Sequence, residues 1–223
     1  MELEILYEDK NIIVVVKPPK VPSQPDKTGD MDILTLIVNH TGIKDIGIVH
    51  RLDRPVGGVM VFGKNKKATE SLNSQIAQKT MEKTYYAVLC GKLEKEHGIL
   101  KDYIIKNQKL NISSITDKNA KNAKEAVLEY FTQGYNVDEK YGDITLVKIN
   151  LKTGRHHQIR VQFANAGYPL WGDNKYNPLF IKNRGWTQIG LWSGGLTFLS
   201  PETGDKLTFN KQPSNDIFKK FIV

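Results

Sequence analysis

The chain has 223 residues, with 32 Lys and Arg against 24 Asp and Glu and a formal net charge of +8. That length holds one substantial domain, and a basic balance of this size points to a polyanionic partner without naming it. With Cys90 as its single cysteine the chain can form no internal disulfide, so a reducing compartment suits it. The start Met1-Glu2-Leu3-Glu4-Ile5 lacks the basic-then-apolar order of a signal peptide, and the apolar run Ile12 to Val16 is far too short to cross a bilayer. A soluble, cytoplasmic protein is expected.

Ile12 to Val16 reads as a buried strand that ends in the rigid bend Lys17-Pro18-Pro19, and residues 18–29 as a loop. Residues 31–40 carry Ile33, Leu34, Ile37 and Val38 at helical spacing. Val59 to Phe62 is a short strand. Asn65 caps a helix running to about Lys79, with Ala68, Leu72 and Ile76 on one stripe. Lys83 to Leu89 suits a strand whose period of two sends Lys83, Tyr85 and Ala87 to one face.

Further strands are expected at residues 99–105, 126–131, 144–151, 196–199 and 206–209, and a helix at 156–166 that stops at Gly167. No Pro/Ser-rich linker interrupts the chain, which reads as a single domain over residues 1–223. The element order is that of an α+β protein with an antiparallel-rich sheet. Lysines at 101, 106, 109, 118, 121 and 124 form a basic stretch equally consistent with a solvated hairpin and with one laid against phosphates.

The densest chemistry lies in His50-Arg51-Leu52-Asp53-Arg54-Pro55-Val56-Gly57-Gly58, which runs into the apolar strand. Asp53 sits in a loop between two guanidinium groups, which favour its charged form and suit it to nucleophilic attack or proton removal. Arg51 and Asp53 project to the same side of an extended segment, and Arg54 to the other, where a structural role is expected. Adjacent His156 and His157 do not make a metal site, because helix neighbours diverge and no HExxH pattern is present.

This segment, His50-Arg51-Leu52-Asp53 followed by a Gly-rich apolar strand, resembles the signature of the RluA-type pseudouridine synthases. Lys83-Thr84-Tyr85-Tyr86-Ala87 is similar to that family's second motif. Residues 153–160, Thr-Gly-Arg-His-His-Gln-Ile-Arg, followed by Gly172-Asp173 and Tyr176, are similar to its third. With Tyr7-Glu8-Asp9-Lys10-Asn11 and Val16-Lys17-Pro18-Pro19, the likeness covers nearly the whole chain.

The resemblance implies a pseudouridine synthase fold, a mixed, mainly antiparallel sheet flanked by helices with a central active-site cleft. It implies isomerisation of uridine in tRNA or large-subunit ribosomal RNA without cofactor or metal, and no obligate protein partner. Asp53 is then the catalytic carboxylate, Arg160 the cation paired with it, and Tyr85 the stacking surface whose hydroxyl can move a proton at C5. His50 and Arg51 would help extrude the target nucleotide and Arg155 would meet substrate or phosphate, while Lys64 and Lys67 are phosphate candidates by their closeness to Asp53 in sequence.

Two departures stand out: Gly57 where many members carry Ser or Thr, and Leu191-Trp192-Ser193 in place of Leu-His-Ala. The catalytic region is expected to begin almost at Met1, with no separate amino-terminal RNA-binding module. A non-catalytic RNA-binding or ribosome-assembly factor on the same fold is the alternative, although the reactive side chains of all three motifs are kept. A nucleoside-bond hydrolase would share the carboxylate but release free uracil.

Overall fold

The computed structural model describes residues 1–182, 185–213 and 215–221. In chain order the elements are β1 (Glu4–Glu8), β2 (Ile12–Lys17), α1 (Ile33–Thr41), β3 (Gly47–Ile48), β4 (Gly57–Gly63), α2 (Lys66–Ala77), β5 (Glu82–Cys90), β6 (His97–Asn107) and β7 (Ile112–Thr116). They continue with β8 (Lys124–Asp138), β9 (Gly142–Leu151), α3 (Gln158–Asn165), α4 (Pro178–Ile181), β10 (Leu191–Leu199), β11 (Lys206–Asn210) and α5 (Asp216–Lys219). This is the α+β mixture that the patterning predicts, with β1, β3, β7 and the two shortest helices in addition. The chain gathers into two compact units, Met1–Lys83 with Trp192–Gln212, and Thr84–Leu191 with Pro213–Val223.

In the first unit β2 pairs antiparallel with β1 on one side and with β4 on the other, in a register that sets Val14 opposite Val61. Every residue of β2 and β4 is buried, so neither strand alternates in sequence. Their β-branched side chains suit extended backbone and fill the core. Asn65 caps α2 by accepting the Ala68 N–H at 2.9 Å, which fixes the helix where its Ala68 and Leu72 reach Val59, Val61, Ile12 and Val14. Leu196 and Phe198 of β10 complete this core.

β4 and β10 run parallel through Trp192 opposite Gly57 and Ser193 opposite Gly58. Here the two departures from the family pattern meet. A Cβ added at Gly57 would lie 2.5 Å from the Trp192 ring, so the missing side chain is what admits the indole. Trp192 is buried and donates through Nε1 to the Lys211 carbonyl at 2.8 Å. Gly58 has φ +125°, and a Cβ there would meet the Ser193 carbonyl oxygen at 2.1 Å.

The second unit is an antiparallel sheet in the order β5-β9-β8-β6-β7. Tyr85 of β5 lies opposite Ile149, and β8 carries an irregularity between Thr132 and Gly134. Helix α3 begins two residues later than its sequence pattern predicts, because His157 takes the left-handed conformation at φ 54° and so cannot belong to the helix. The turn before it is closed by Thr153, whose hydroxyl accepts the Val127 N–H at 2.8 Å and donates to Gln158 Oε1 at 2.8 Å. Cys90 is buried, as its apolar setting suggests, and burial pushes its thiol pKa up.

Candidate active site

Asp53 lies in the loop between β3 and β4, half-buried, directly after the buried Leu52 and the exposed Arg51. Three successive carbonyls of this loop are bonded. That of Leu52 accepts from Ser23 Oγ at 2.8 Å, that of Asp53 from the Val56 N–H at 2.9 Å, and that of Arg54 from the Lys20 N–H at 2.9 Å. The loop is therefore rigid on either side of the carboxylate, although it belongs to no regular element.

Arg54 is structural, as its outward direction predicts. Its guanidinium pairs with Asp30 and, at 3.6 Å, with Asp26, and donates to the Lys20 carbonyl at 2.9 Å. It ties residues 20–30 to the motif.

A basic residue of the first unit that interacts electrostatically with Asp53 is Lys17, which sequence reasoning left as part of a motif. Lys17 is 0% exposed and donates to the carbonyls of Pro18 (3.0 Å), Val21 (2.7 Å) and Arg54 (3.3 Å). Burial pulls its pKa down to about 7, the Asp53 charge opposes that fall, and Arg54 adds to it. A lysine closing an otherwise unbroken β-branched strand was the signal available in the sequence.

Among the residues expected to bind substrate, His50 accepts the Val61 N–H through Nε2 at 3.2 Å. Burial, with Lys83 nearby, drops its pKa to about 3, so at neutral pH it is an uncharged acceptor bonded to β4. Lys64 donates to Glu8 at 2.6 Å and to the Asp9 carbonyl at 2.7 Å, which engages the charge expected to meet a phosphate. Arg51 and Lys67 are exposed, and Arg51 makes no hydrogen bond or ion pair among the described residues.

In the second unit Tyr85 is 7% exposed, on the face of β5 that its alternation predicts to be distinct from Tyr86. Arg160, on α3, forms a forked pair with Asp173, Nε to Oδ2 at 2.8 Å and Nη2 to Oδ1 at 2.7 Å, both side chains buried. Asp173 Oδ1 also accepts the N–H groups of Lys175 (2.9 Å) and Tyr176 (3.2 Å).

The Arg160 guanidinium lies 5.2 Å from the centre of the Tyr176 ring. The Tyr176 hydroxyl accepts the Ser113 N–H at 2.7 Å and lies 2.7 Å from His157 Nδ1. Arg155 is exposed and its Nε donates to the Glu125 carbonyl at 2.9 Å. The Gly172-Asp173 pair is legible in the sequence as part of the third motif, but nothing local says that it grips Arg160.

These arrangements can supply a held carboxylate, a fixed guanidinium and a buried aromatic surface. No group of three or more His, Cys, Asp or Glu able to hold a metal occurs among the described residues, and no helix there is long and apolar enough to cross a membrane.

Residues 11–165 match a model of the RNA pseudouridylate synthase family. An RNA pseudouridine synthase of Bacillus subtilis, YlyB, whose name marks it as uncharacterised, is 33% identical over 97% of this chain and 71% of its own length. A tRNA pseudouridine synthase C of Vibrio parahaemolyticus is 32% identical over 93% of this chain and 89% of its own. A ribosomal large subunit pseudouridine synthase C of Pasteurella multocida is 29% identical over 100% and 68%. Relatives can be longer still: the chain spans 58% of a second Bacillus subtilis relative, YhcT.

The human RNA pseudouridylate synthase domain containing 1 superposes with a TM-score of 0.80 at 19% identity, over 95% of this chain and 84% of its own, which shows a common fold. The fold is thus the pseudouridine synthase fold, and the chain belongs to the RNA pseudouridine synthase family, enzymes that isomerise uridine within RNA.

Proposed function

We propose that this chain converts uridine to pseudouridine in tRNA or large-subunit ribosomal RNA, with Asp53 as the reacting carboxylate and Arg160 and Tyr85 as its catalytic partners. The reaction breaks the bond from C1′ to N1, turns the detached uracil and forms a bond from C1′ to C5. N1 gains a proton and C5 loses one, so no electron, phosphate or metal is exchanged. Asp53 starts it by attacking C1′, by removing a ribose proton, or by adding to C6 of the ring.

The observation that carries this reading is the fixed Asp53 loop, bonded at the Leu52, Asp53 and Arg54 carbonyls, with Lys17 Nζ on the last of these. A carboxylate carried on a backbone so held keeps its aim while a nucleotide is brought to it. The alternation of β5 and the forked pair on Arg160 fit roles as stacking surface and fixed cation. Arg51, Lys67 and Arg155 are exposed and suit phosphate contacts. The two RNA classes are those named for relatives that share almost the whole chain.

The test is pseudouridine mapping across total RNA from cells with and without the gene, followed by treatment of the deficient RNA with purified protein. Sites lost in the deletion should return with the wild-type protein and stay absent with Asp53→Asn, while that variant's RNA affinity stays within about threefold. Full activity of Asp53→Asn would refute the assignment.

A further inference from the structure

The Ser23 hydroxyl makes two bonds to one residue. It donates to the Leu52 carbonyl at 2.8 Å and accepts the Leu52 N–H at 3.1 Å. Leu52 immediately precedes Asp53, so this one side chain satisfies both backbone groups of the residue that launches the carboxylate. Ser23 is 5% exposed and Leu52 6%, which keeps both bonds away from bulk solvent.

Its own position is fixed in turn. Val21, Pro22 and Ser23 are a buried run in a loop whose following residues are mostly exposed. The Val21 carbonyl holds the Lys17 ammonium at 2.7 Å, and the Pro22 carbonyl accepts the Ile33 N–H at the start of α1 at 3.0 Å. On the far side of Asp53, the Arg54 carbonyl is held by the Lys20 N–H and by Lys17 Nζ. Residues 17–23 therefore grip the chain one residue before Asp53 and one residue after it.

We infer that Ser23 is a positioning residue for the isomerisation, acting through the Leu52 backbone to set the direction of the Asp53 carboxylate. This rests on the proposed role of Asp53. A rigid helix or strand normally supplies such aim, and a loop can do so only when its backbone groups are bonded. Arg54 reinforces the frame from outside, but its partners Asp26 and Asp30 are exposed, whereas Ser23 acts away from bulk solvent.

The experiment compares wild type, Ser23→Ala and Ser23→Thr on [5-³H]uridine-labelled total RNA from cells lacking the gene, since closure at C5 releases the tritium. Single-turnover rates are taken at saturating enzyme, beside amide hydrogen exchange at Leu52 and thermal melting. Ser23→Ala should lower the saturating rate constant about 10- to 100-fold, the scale on which small misplacements act, and leave the half-saturating enzyme concentration within about twofold. Exchange at the Leu52 amide should rise, and Ser23→Thr, which keeps the hydroxyl, should stay within about threefold of wild type.

Undiminished rate in Ser23→Ala, unchanged Leu52 exchange, or an equal fall in both variants would overturn the inference. Wild-type protein that releases no tritium from any RNA would instead overturn the reading of Asp53, and Leu52 exchange would still report whether Ser23 holds the loop.

Discussion

Removing the Asp173 carboxylate tests whether the Arg160 guanidinium is held as the structure has it. The side chains of Arg160 and Asp173 are 3% and 0% exposed, so the pair sits beyond the reach of solvent screening. Removing the carboxylate half of a buried, hydrogen-bonded ion pair costs about 3–5 kcal/mol. Asp173→Asn keeps an Oδ1 acceptor for the N–H groups of Lys175 and Tyr176 and loses only the charge. Asp173→Ala loses both, and the two orphaned amides add about 1 kcal/mol each.

With a urea slope of about 2–3 kcal/mol per molar, the Asp173→Asn midpoint should fall by roughly 1–2 M and that of Asp173→Ala by more. Equilibrium urea unfolding by circular dichroism reads both. A cycle with Arg160→Met should show that the two losses are far from additive, with a coupling of about 2–3 kcal/mol. A midpoint for Asp173→Asn within about 0.3 M of wild type, or additivity within about 0.5 kcal/mol, would refute the reasoning.

Two further outcomes follow from the first unit. Lys17 has a folded pKa of about 7 against 10.5 unfolded, so between those values the unfolded chain holds a proton that the folded one has shed, and this residue's contribution to stability rises with pH across that window. Against Lys17→Met, wild type should gain roughly 2–3 kcal/mol between pH 7 and 9 in urea unfolding, and parallel profiles would contradict it. Gly57→Ser should destabilise by about 1–3 kcal/mol through overpacking on the Trp192 ring, and Trp192→His should recover part of that loss in the same urea unfolding assay.

Much of the fold was legible because its causes are local. Five consecutive β-branched residues before Lys17 specify β2, and Asn65 with its apolar stripe specifies α2. What escaped depends on distant partners. Ser113 makes β7 look too polar for a buried strand, yet it is buried because it bonds Tyr176 and His156 from another part of the chain. The start of α3 was misplaced because the φ of His157 is set by its contacts and not by its neighbours in sequence.

The same division runs through the candidate site. Asp53 was legible as a carboxylate in a loop, and the outward direction of Arg54 was legible from alternation. That Lys17 interacts electrostatically with Asp53, that Ser23 holds Leu52 and that Asp173 holds Arg160 were not. Each joins residues separated by a long stretch of chain or by an element boundary, where spacing carries no information.

Aim and fixed charge are two sources from which an isomerase can draw its acceleration. In this chain the side chains assigned to the chemistry owe both to neighbours that carry none. Ser23, Lys17 and Lys20 hold the backbone around Asp53, and Asp173, itself capped by two amides, holds the fork of Arg160. The Ser23–Leu52 and Asp173–Arg160 contacts are buried, so salt screens them little. The exposed Arg51, Lys67 and Arg155, proposed above to meet phosphates, would act through solvent, where each contribution is small and fades with ionic strength. Loss of activity that persists at every salt concentration therefore belongs to the frame, and loss that deepens as salt rises belongs to the RNA-facing cations.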